Sequence, residues 1–277
     1  MLSYTLIEIR ARLGAILVWG LGILTYLALV LLLYPSLQEQ LARLDLSNIA
    51  IYQAFGDLSQ MDTFPGYYKG YVLSFLPILV AIYSVINGAA TLVGEEEQGT
   101  LEMFVTQPLA RRRIVLGKAI ALSIALCLIL LINFAGLYMC VLYVNTQVDA
   151  TLTTAQLFQS TLAAWPLTFL FAMFGLWAGA YLPRRSAALG LGLTALLGSW
   201  LINNLAQSNT TLKDVSRFLP FKYYPTSILD NGVNPNDLLI LVGAGLVFLA
   251  LAILSFQRRN ITVGAWPWQR ARPALDA

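Results

Sequence analysis

Residues 119–141 read AIALSIALCLILLINFAGLYMCV, a run of 23 residues without a charged side chain. A helix that crosses the hydrocarbon core of a bilayer needs about 20 such residues. Five further stretches have the same character, at residues 14–34, 71–93, 159–182, 187–206 and 237–257. Asp237, at the edge of the last stretch, is the only acidic or basic residue in the six. The pattern therefore predicts an all-α integral membrane protein with six transmembrane helices.

The overall composition supports a membrane location and excludes several classes of function. Of the 277 residues, 58% are hydrophobic and 11% are charged, and the mean hydropathy is +0.71. Soluble domains carry roughly 25% charged residues, so this much apolar surface requires lipid as its solvent. The chain has no histidine, which excludes Ser-His-Asp, Cys-His and HExxH chemistry. The net charge of +3 is too small to indicate nucleic-acid binding.

The lysines and arginines are unevenly divided between the two sides of the membrane. Cytoplasmic segments of membrane proteins carry an excess of these residues. With the N-terminus inside, the inner segments hold 12 of the 17 basic residues, and the outer segments hold Arg43, Lys69, Lys213, Arg217 and Lys222. We therefore expect both termini in the cytoplasm. The first stretch is too long for a cleavable signal peptide, so we expect it to remain as an anchor.

The segments between the spans are short, so we expect residues 1–277 to form a single transmembrane domain. Apolar residues at helical spacing predict short amphipathic helices at the membrane surface. These segments are residues 1–13 and parts of the outer loops 35–70 and 207–236. Pro77 and Pro166 are expected to kink the second and fourth spans.

The cytoplasmic loop between spans two and three, residues 94–118, reads GEEEQGTLEMFVTQPLARRRIVLGK. Four glutamates are followed by four basic residues, and two helical turns would place Leu101, Phe104 and Val105 on one face. Such a face needs a protein surface to bury it, which is either another protein or the inner ends of the chain's own helices. The chain contains no GxxxxGK[ST] phosphate loop, so it does not bind ATP in that manner.

Three short motifs resemble the permease subunits of type-2 ATP-binding-cassette (ABC) exporters. The run 94–102, with Gln107-Pro108 and Gly117-Lys118 after it, is similar to the family's G-E-x-E-x-G-T-L-E, P-x-S/A-R and G-K pattern between spans two and three. Residues 219–225 and 256–261 resemble the S-P-F-x-Y-x-x-P stretch before the last span and the F-x-R-R-D-I ending after it. Leu219 replaces the usual serine, and Asn260 replaces the usual aspartate.

The resemblance implies a fold and a mechanism. In such families two six-span permeases pair in the membrane, and two separate ATPase subunits bind from the cytoplasm. ATP and Mg²⁺ bind those subunits, so this chain is expected to hold no cofactor and no metal, and not to be an enzyme. A helix in the first long cytoplasmic loop docks on the ATPase. The residues expected in this coupling loop, none of them catalytic, are Glu95, Glu97, Gly99, Thr100, Leu101, Glu102, Phe104, Val105, Pro108, Arg111, Arg112 and Arg113.

Polar residues within the spans are candidates for a transport path. The spans lack the carboxylates or histidines that relay protons in proton-coupled transporters. In related exporters the second and fifth spans border the central cavity. By that analogy the candidates are Ser84, Asn87, Thr194, Ser199 and Asn203. Alternatively, these side chains bond to neighbouring helices. Gly175 and Gly179 form a GxxxG pattern, which can let two helices approach closely.

Three functions remain open from the sequence. The first is a permease of an ABC exporter in the cell membrane, which moves a small molecule, drug, peptide or ion outward. The second is a permease of the same class that transmits mechanical work to an extracytoplasmic partner protein, as in the maturation of a metalloenzyme. The third is an intramembrane enzyme or an ATPase-independent scaffold, and the lack of a base argues against the enzyme. Expected partners are ATPase subunits, a second permease copy in a homodimer, and membrane lipid.

Overall fold

The computed structural model describes residues 2–43, 63–97, 111–148, 150–206, 210–224 and 228–258. This part of the chain is helical and contains no strand. A π-helical turn, Lys69–Leu73, and a 3₁₀ turn, Pro220–Tyr223, join the α-helices. The α-helices are α1 (Leu2–Arg43), α2 (Phe64–Tyr68), α3 (Ser74–Glu97), α4 (Arg111–Val144), α5 (Thr154–Leu162), α6 (Trp165–Tyr181), α7 (Arg185–Leu205), α8 (Thr210–Ser216), α9 (Ile228–Asn231) and α10 (Pro235–Arg258).

Six helical segments are long and apolar enough to cross a membrane. The second span combines α2 and α3, and the fourth combines α5 and α6; the other four are α1, α4, α7 and α10. Their most apolar parts have mean hydropathies between 1.4 and 2.8. This confirms the six predicted spans. The helices extend beyond the charge-free stretches; α4, for example, begins at Arg111 rather than at Ala119. Long basic side chains at a helix end can reach the polar interface, so charge does not end the helix.

The first helix is longer than the sequence predicts. α1 runs for 42 residues and includes Pro35, whereas the sequence predicts separate surface helices before and after the span. The cause lies in tertiary contacts. Glu8 and Arg12 are four residues apart and share one face of α1, and both bond to residues of other helices. The N-terminal segment therefore packs against the bundle and continues the span, instead of lying on the membrane surface.

The fourth span is irregular directly before Pro166. A turn at Ala163 and Ala164 separates α5 from α6, and Pro166 lies in the first turn of α6. Proline is tolerated there because the first backbone N–H groups of a helix have no partner within it. The irregularity predicted at Pro166 is present, and it takes the form of a turn directly before the proline.

The second span is irregular on the N-terminal side of Pro77. The π-helical turn Lys69–Leu73 lies between α2 and α3, and Pro77 lies inside α3. A proline ring crowds the carbonyl group four residues earlier, which here belongs to Leu73, the last residue of the π turn. Local π turns are one way in which a helix accommodates such a disruption. The predicted irregularity at Pro77 is present, and it takes this form.

Close contact between α3 and α6 forms the centre of the bundle. A Cβ atom added at Gly88 would lie 2.5 Å from the carbonyl oxygen of Ala172, and one added at Gly179 would lie 2.5 Å from that of Ala89. At Gly175 the distance to the carbonyl oxygen of Val85 would be 3.0 Å. Small residues allow this approach of two backbones. The GxxxG pattern of α6 therefore serves packing within the chain.

The first and third spans, α1 and α4, run parallel to each other. Along α1 and α4, Gly20 lies near Ile132 and Leu24 near Gly136; Lys118 of α4 meets Glu8 near the start of α1. Contacts also bring together the start of α1, the end of α3, the start of α4 and the end of α10. We call this end of the bundle the basic end, since Arg10, Arg12, Arg111, Arg112, Arg113, Lys118, Arg184, Arg185 and Arg258 lie in the helices and turns that meet there. The end that holds Lys69 and Asp230 is the opposite end.

Candidate functional site

A buried ion-pair cluster lies at the basic end, where three spans meet. The Nζ atom of Lys118 lies 2.9 Å from Oε1 of Glu8, and the Lys118 side chain is completely buried. Nη2 of Arg12 lies 3.5 Å from Oε2 of Glu8 and donates a hydrogen bond of 2.9 Å to Oγ1 of Thr91. We call Glu8, Arg12, Thr91 and Lys118 the charged cluster. It joins α1, α3 and α4.

Local sequence explains how each side chain reaches the charged cluster. Glu8 and Arg12 are one helical turn apart, so they lie on the same face of α1. Lys118 follows Gly117 in α4 and lies seven residues after the helix begins. Deeper in the membrane, the buried Asn133 of α4 donates to the carbonyl oxygen of Gly20 at 3.4 Å. Gly20 leaves room for this contact, which fixes α1 against α4.

The charged cluster holds ionised groups away from water, which costs free energy. Transferring charged groups out of water costs several kcal/mol per ion, so a buried ion needs a close partner of opposite charge. Glu8 supplies one negative charge to two cations, Arg12 and Lys118. The Nε atom of Arg12 and the hydroxyl of Tyr83 are buried without a hydrogen-bond partner among the described residues. The carboxylate of Glu8 is thus the group on which both cations depend.

The charged cluster connects both ends of the 94–118 loop to α1. Thr91 lies six residues before the end of α3, and Lys118 lies near the start of α4. A displacement of either loop end would change a contact that Glu8 or Arg12 makes.

Most of the predicted coupling loop lies outside the described residues. Arg111, at the start of α4, is half-buried and donates from Nη1 to the carbonyl oxygen of Phe256 at 3.4 Å, which links α4 to the end of α10. Arg112 and Arg113 are exposed. The backbones of Glu95 and Glu97 belong to the last turn of α3, and their side chains lie outside the described part. Also outside are Gly99, Thr100, Leu101, Glu102, Phe104, Val105 and Pro108.

The predicted path residues do not form one cluster. Ser84 and Ser199 are buried, and each donates to a carbonyl oxygen of its own helix, at 2.9 Å. The half-buried Asn87 does the same, toward Tyr83 at 3.1 Å. Thr194 is exposed on α7, and Asn203 lines a cavity at the opposite end. Their role in a path stays a prediction.

Sequence analysis missed the charged cluster. It placed Glu8 and Arg12 on a surface helix and counted Lys118 among the bases of a loop. The available signal was the i, i+4 pair of opposite charges, together with a lysine directly before a charge-free run. That signal does not identify partners, because Glu8 and Lys118 are 110 positions apart.

Comparison of the whole sequence identifies the family. Residues 5–261 match the family described as ABC-2 family transporter protein. The chain belongs to the ABC-2 transporter family. This confirms the predicted family, the all-helical fold with six candidate membrane helices, and the multi-pass location in the cell membrane. Membership of this family indicates a transmembrane subunit.

Two curated relatives share parts of the ABC-2 sequence, and each is named a probable ABC transporter permease protein NosY. The relative from Stutzerimonas stutzeri is 29% identical over 133 residues, which cover 47% of this chain and 45% of that protein. The relative from Pseudomonas aeruginosa is 32% identical over 79 residues, which cover 28% of this chain and 29% of that protein. The matched regions span less than half of either relative.

In this ABC-2 permease, the charged cluster lies where the family pattern of the 94–118 loop ends. The Gly117-Lys118 pair that closes the pattern provides the lysine of the buried ion pair. The loop and the first span are thereby joined by one contact inside the protein.

Proposed function

We propose that this chain is the membrane permease subunit of an ABC exporter, which moves a small molecule, drug, peptide or ion outward. ATP hydrolysis takes place in separate ATPase subunits, which hold ATP and Mg²⁺. The observation that carries the proposal is the charged cluster, because it ties both ends of the 94–118 loop to α1. These contacts support a loop whose movement is passed to the first span.

The proposed coupling begins at the loop. The apolar face of Leu101, Phe104 and Val105 docks on the ATPase, and closure of the ATPase moves the end of α3 and the start of α4. Lys118 and Thr91 pass this movement to Glu8 and Arg12 on α1. The bond from Arg111 to Phe256 carries it to α10.

The packing of the centre supports a movement in rigid units. α3 and α6 touch backbone to backbone at Gly88 and Gly179, so neither can slide past the other without a clash. A displacement of the loop end of α3 therefore moves α6 as well. Close-packed interiors transmit strain in this way, because they have few voids to absorb it.

We propose a homodimer of permeases with two ATPase chains. Six candidate spans among the described residues, in a sequence without a phosphate loop, support its assignment as half of a transporter, and oligomers of identical subunits are most often two-fold symmetric. The polar residues of the second and fifth spans, Ser84, Asn87, Thr194, Ser199 and Asn203, remain the candidates for the path between the two copies.

Purification of the tagged chain from its native host tests the proposal. We expect an ATPase subunit to co-purify in equal number, two permease copies per particle by mass measurement, and ATP hydrolysis by the purified complex. A chain that purifies as a monomer, and is active without any ATPase, would contradict the proposal.

A further inference from the structure

A second polar site lies at the opposite end of the bundle, far from the charged cluster. It is a cavity of about 550 Å³ between the π-helical turn, the end of α7, α8 and the 3₁₀ turn. This volume lies in the range of small-ligand pockets, roughly 300–1,000 Å³. Gly192 of α7 packs against Val85 in the middle of the bundle, and Asn203 follows 11 residues later, about 16 Å further along the helix. Asn203 lines the cavity.

Four basic side chains line this cavity: Lys69, Lys213, Arg217 and Lys222. They are four of the five basic residues that the sequence assigns to the outer side, where such residues are normally scarce. None of the described residues that line the cavity is acidic. Lys213, Arg217 and Lys222 lie within ten residues of one another, and the fold brings Lys69 of the π-helical turn to the same cavity from a distant part of the chain.

The surrounding carboxylates balance only half of this charge. Lys69 pairs with Asp230 at 2.9 Å, and Arg217 pairs with Asp214 at 3.5 Å. Both aspartates are more than half exposed, at 54% and 76%, and exposed pairs of this kind hold their partners weakly. Lys213 and Lys222 form no salt bridge within the described part of the chain. The four cations and two carboxylates therefore leave a net charge of +2.

The wall of the cavity also offers amide groups. Asn203 and Asn204 line it beside the basic residues, and their N–H groups can donate hydrogen bonds to phosphate oxygens. Tyr224 lines it too, but its hydroxyl has almost no accessible surface, so that group lies behind the wall and does not reach the cavity.

We propose that this cavity binds a phosphate monoester, with its oxygens contacted by Lys213, Lys222 and Arg217. A phosphate monoester carries a charge of about −1.5 to −2 at neutral pH, which matches the net charge of +2, whereas a single carboxylate would leave one cation unbalanced. Lysine and arginine are the residues that bind phosphate oxygens most strongly in proteins. The ligand is either a soluble phosphate ester or the headgroup of a lipid such as phosphatidic acid. The site does not depend on ATPase coupling.

Binding to the full chain in nanodiscs tests the proposal, with ATP absent. In one arm, glycerol 3-phosphate is titrated into phosphatidylcholine nanodiscs and followed by calorimetry. In the other arm, retention of phosphatidic acid over phosphatidylcholine is measured by native mass spectrometry. Saturable binding in the first arm identifies a soluble ligand, and selective retention in the second identifies a lipid. Either result is expected to weaken as the salt concentration rises. Binding in neither arm would overturn the proposal.

One double variant and two controls assign the binding to this cavity. We expect Lys213→Gln/Lys222→Gln to lower the affinity by at least about tenfold. Tyr224→Phe keeps the ring and its packing, and should leave the affinity unchanged because the hydroxyl does not reach the cavity. Arg10→Gln/Arg258→Gln removes the same charge from exposed positions at the basic end, and should leave the affinity unchanged.

Two results with these variants would contradict the proposal. One is a loss of affinity in the arginine control as large as that in the lysine double variant, since that would show general attraction of anions. The other is tighter binding of acetate or of a polyglutamate peptide than of glycerol 3-phosphate, which would identify a carboxylate or an acidic protein as the ligand. Neither result would affect the proposed coupling to an ATPase, which is read out by co-purification.

Discussion

Lys118 of the third span and Glu8 near the start of the first are 110 positions apart, yet Nζ and Oε1 lie 2.9 Å from each other. The lysine side chain has no exposed surface. This one pair joins the loop between spans two and three to the N-terminal helix, and the first prediction follows from it.

We expect Lys118→Met to destabilise the protein by about 3–5 kcal/mol, because it leaves the Glu8 carboxylate buried without its closest partner. The double variant Glu8→Gln/Lys118→Met should recover part of this loss, since it removes both charges. Thermal unfolding in detergent, followed by loss of the monodisperse size-exclusion peak, measures the order of stabilities. Arg113→Met, at an exposed position of the same helix, should stay within about 0.5 kcal/mol of the parent. Equal unfolding temperatures for Lys118→Met and Arg113→Met would show that the buried pair contributes nothing.

The contact between α3 and α6 gives a second prediction. Gly179→Ala would place a Cβ atom 2.5 Å from the carbonyl oxygen of Ala89, and overpacking of this kind costs about 1–3 kcal/mol. Gly243→Ala is the matched control, because nothing lies within 4 Å of a Cβ atom there. The control should be neutral or slightly stabilising, since alanine favours helices more than glycine does. Unfolding temperatures of the two variants give the comparison, and a Gly179→Ala protein as stable as Gly243→Ala would contradict the close packing.

The coupling loop gives a third prediction, which rests on the sequence because Leu101 and Phe104 lie outside the described residues. Leu101→Asp/Phe104→Asp puts charge into an apolar interface, and buried truncations at interface hot spots already cost about 2 kcal/mol or more. We expect this variant to insert and fold but to lose its ATPase on purification. Glu102→Gln should be milder, because a partly exposed charge contributes about 0–1 kcal/mol.

The control for the loop variants is Phe218→Asp, since Phe218 is 89% exposed at the opposite end. That variant should retain the ATPase. If Leu101→Asp/Phe104→Asp also retains the ATPase and its hydrolysis, the loop packs against the inner ends of its own helices instead.

The orientation of the chain in the membrane is the subject of a fourth prediction. Twelve of the 17 basic residues belong to segments on one side, which predicts that side to be cytoplasmic. In a background without Cys127 and Cys140, we expect Phe218→Cys to react with an impermeant thiol reagent in intact cells. Arg113→Cys should react only after the membrane is permeabilised. Labelling of Arg113→Cys in intact cells would reverse the orientation.

The sequence by itself determines the number and position of the spans. A charge-free run such as residues 119–141 is long enough to cross a bilayer, and that requirement acts on each segment independently of the others. The loop motif at 94–102 and its position between spans two and three were enough to predict the family, which the match over residues 5–261 confirms. Both are properties of local sequence. A long apolar segment is stable in lipid whatever the rest of the chain does.

Only the tertiary structure decides which residues meet. The sequence places Glu8 on a surface helix, and its contact with Lys118 depends on the parallel packing of α1 and α4. The glycines of α6 show that some helix can approach closely, but not that the helix is α3 of the same chain. Lys69 is distant in sequence from Lys213 and Lys222, yet all three line one cavity. Each case depends on contacts between segments far apart in the chain. Packing in three dimensions selects the partners, and such contacts leave no periodic pattern in the sequence.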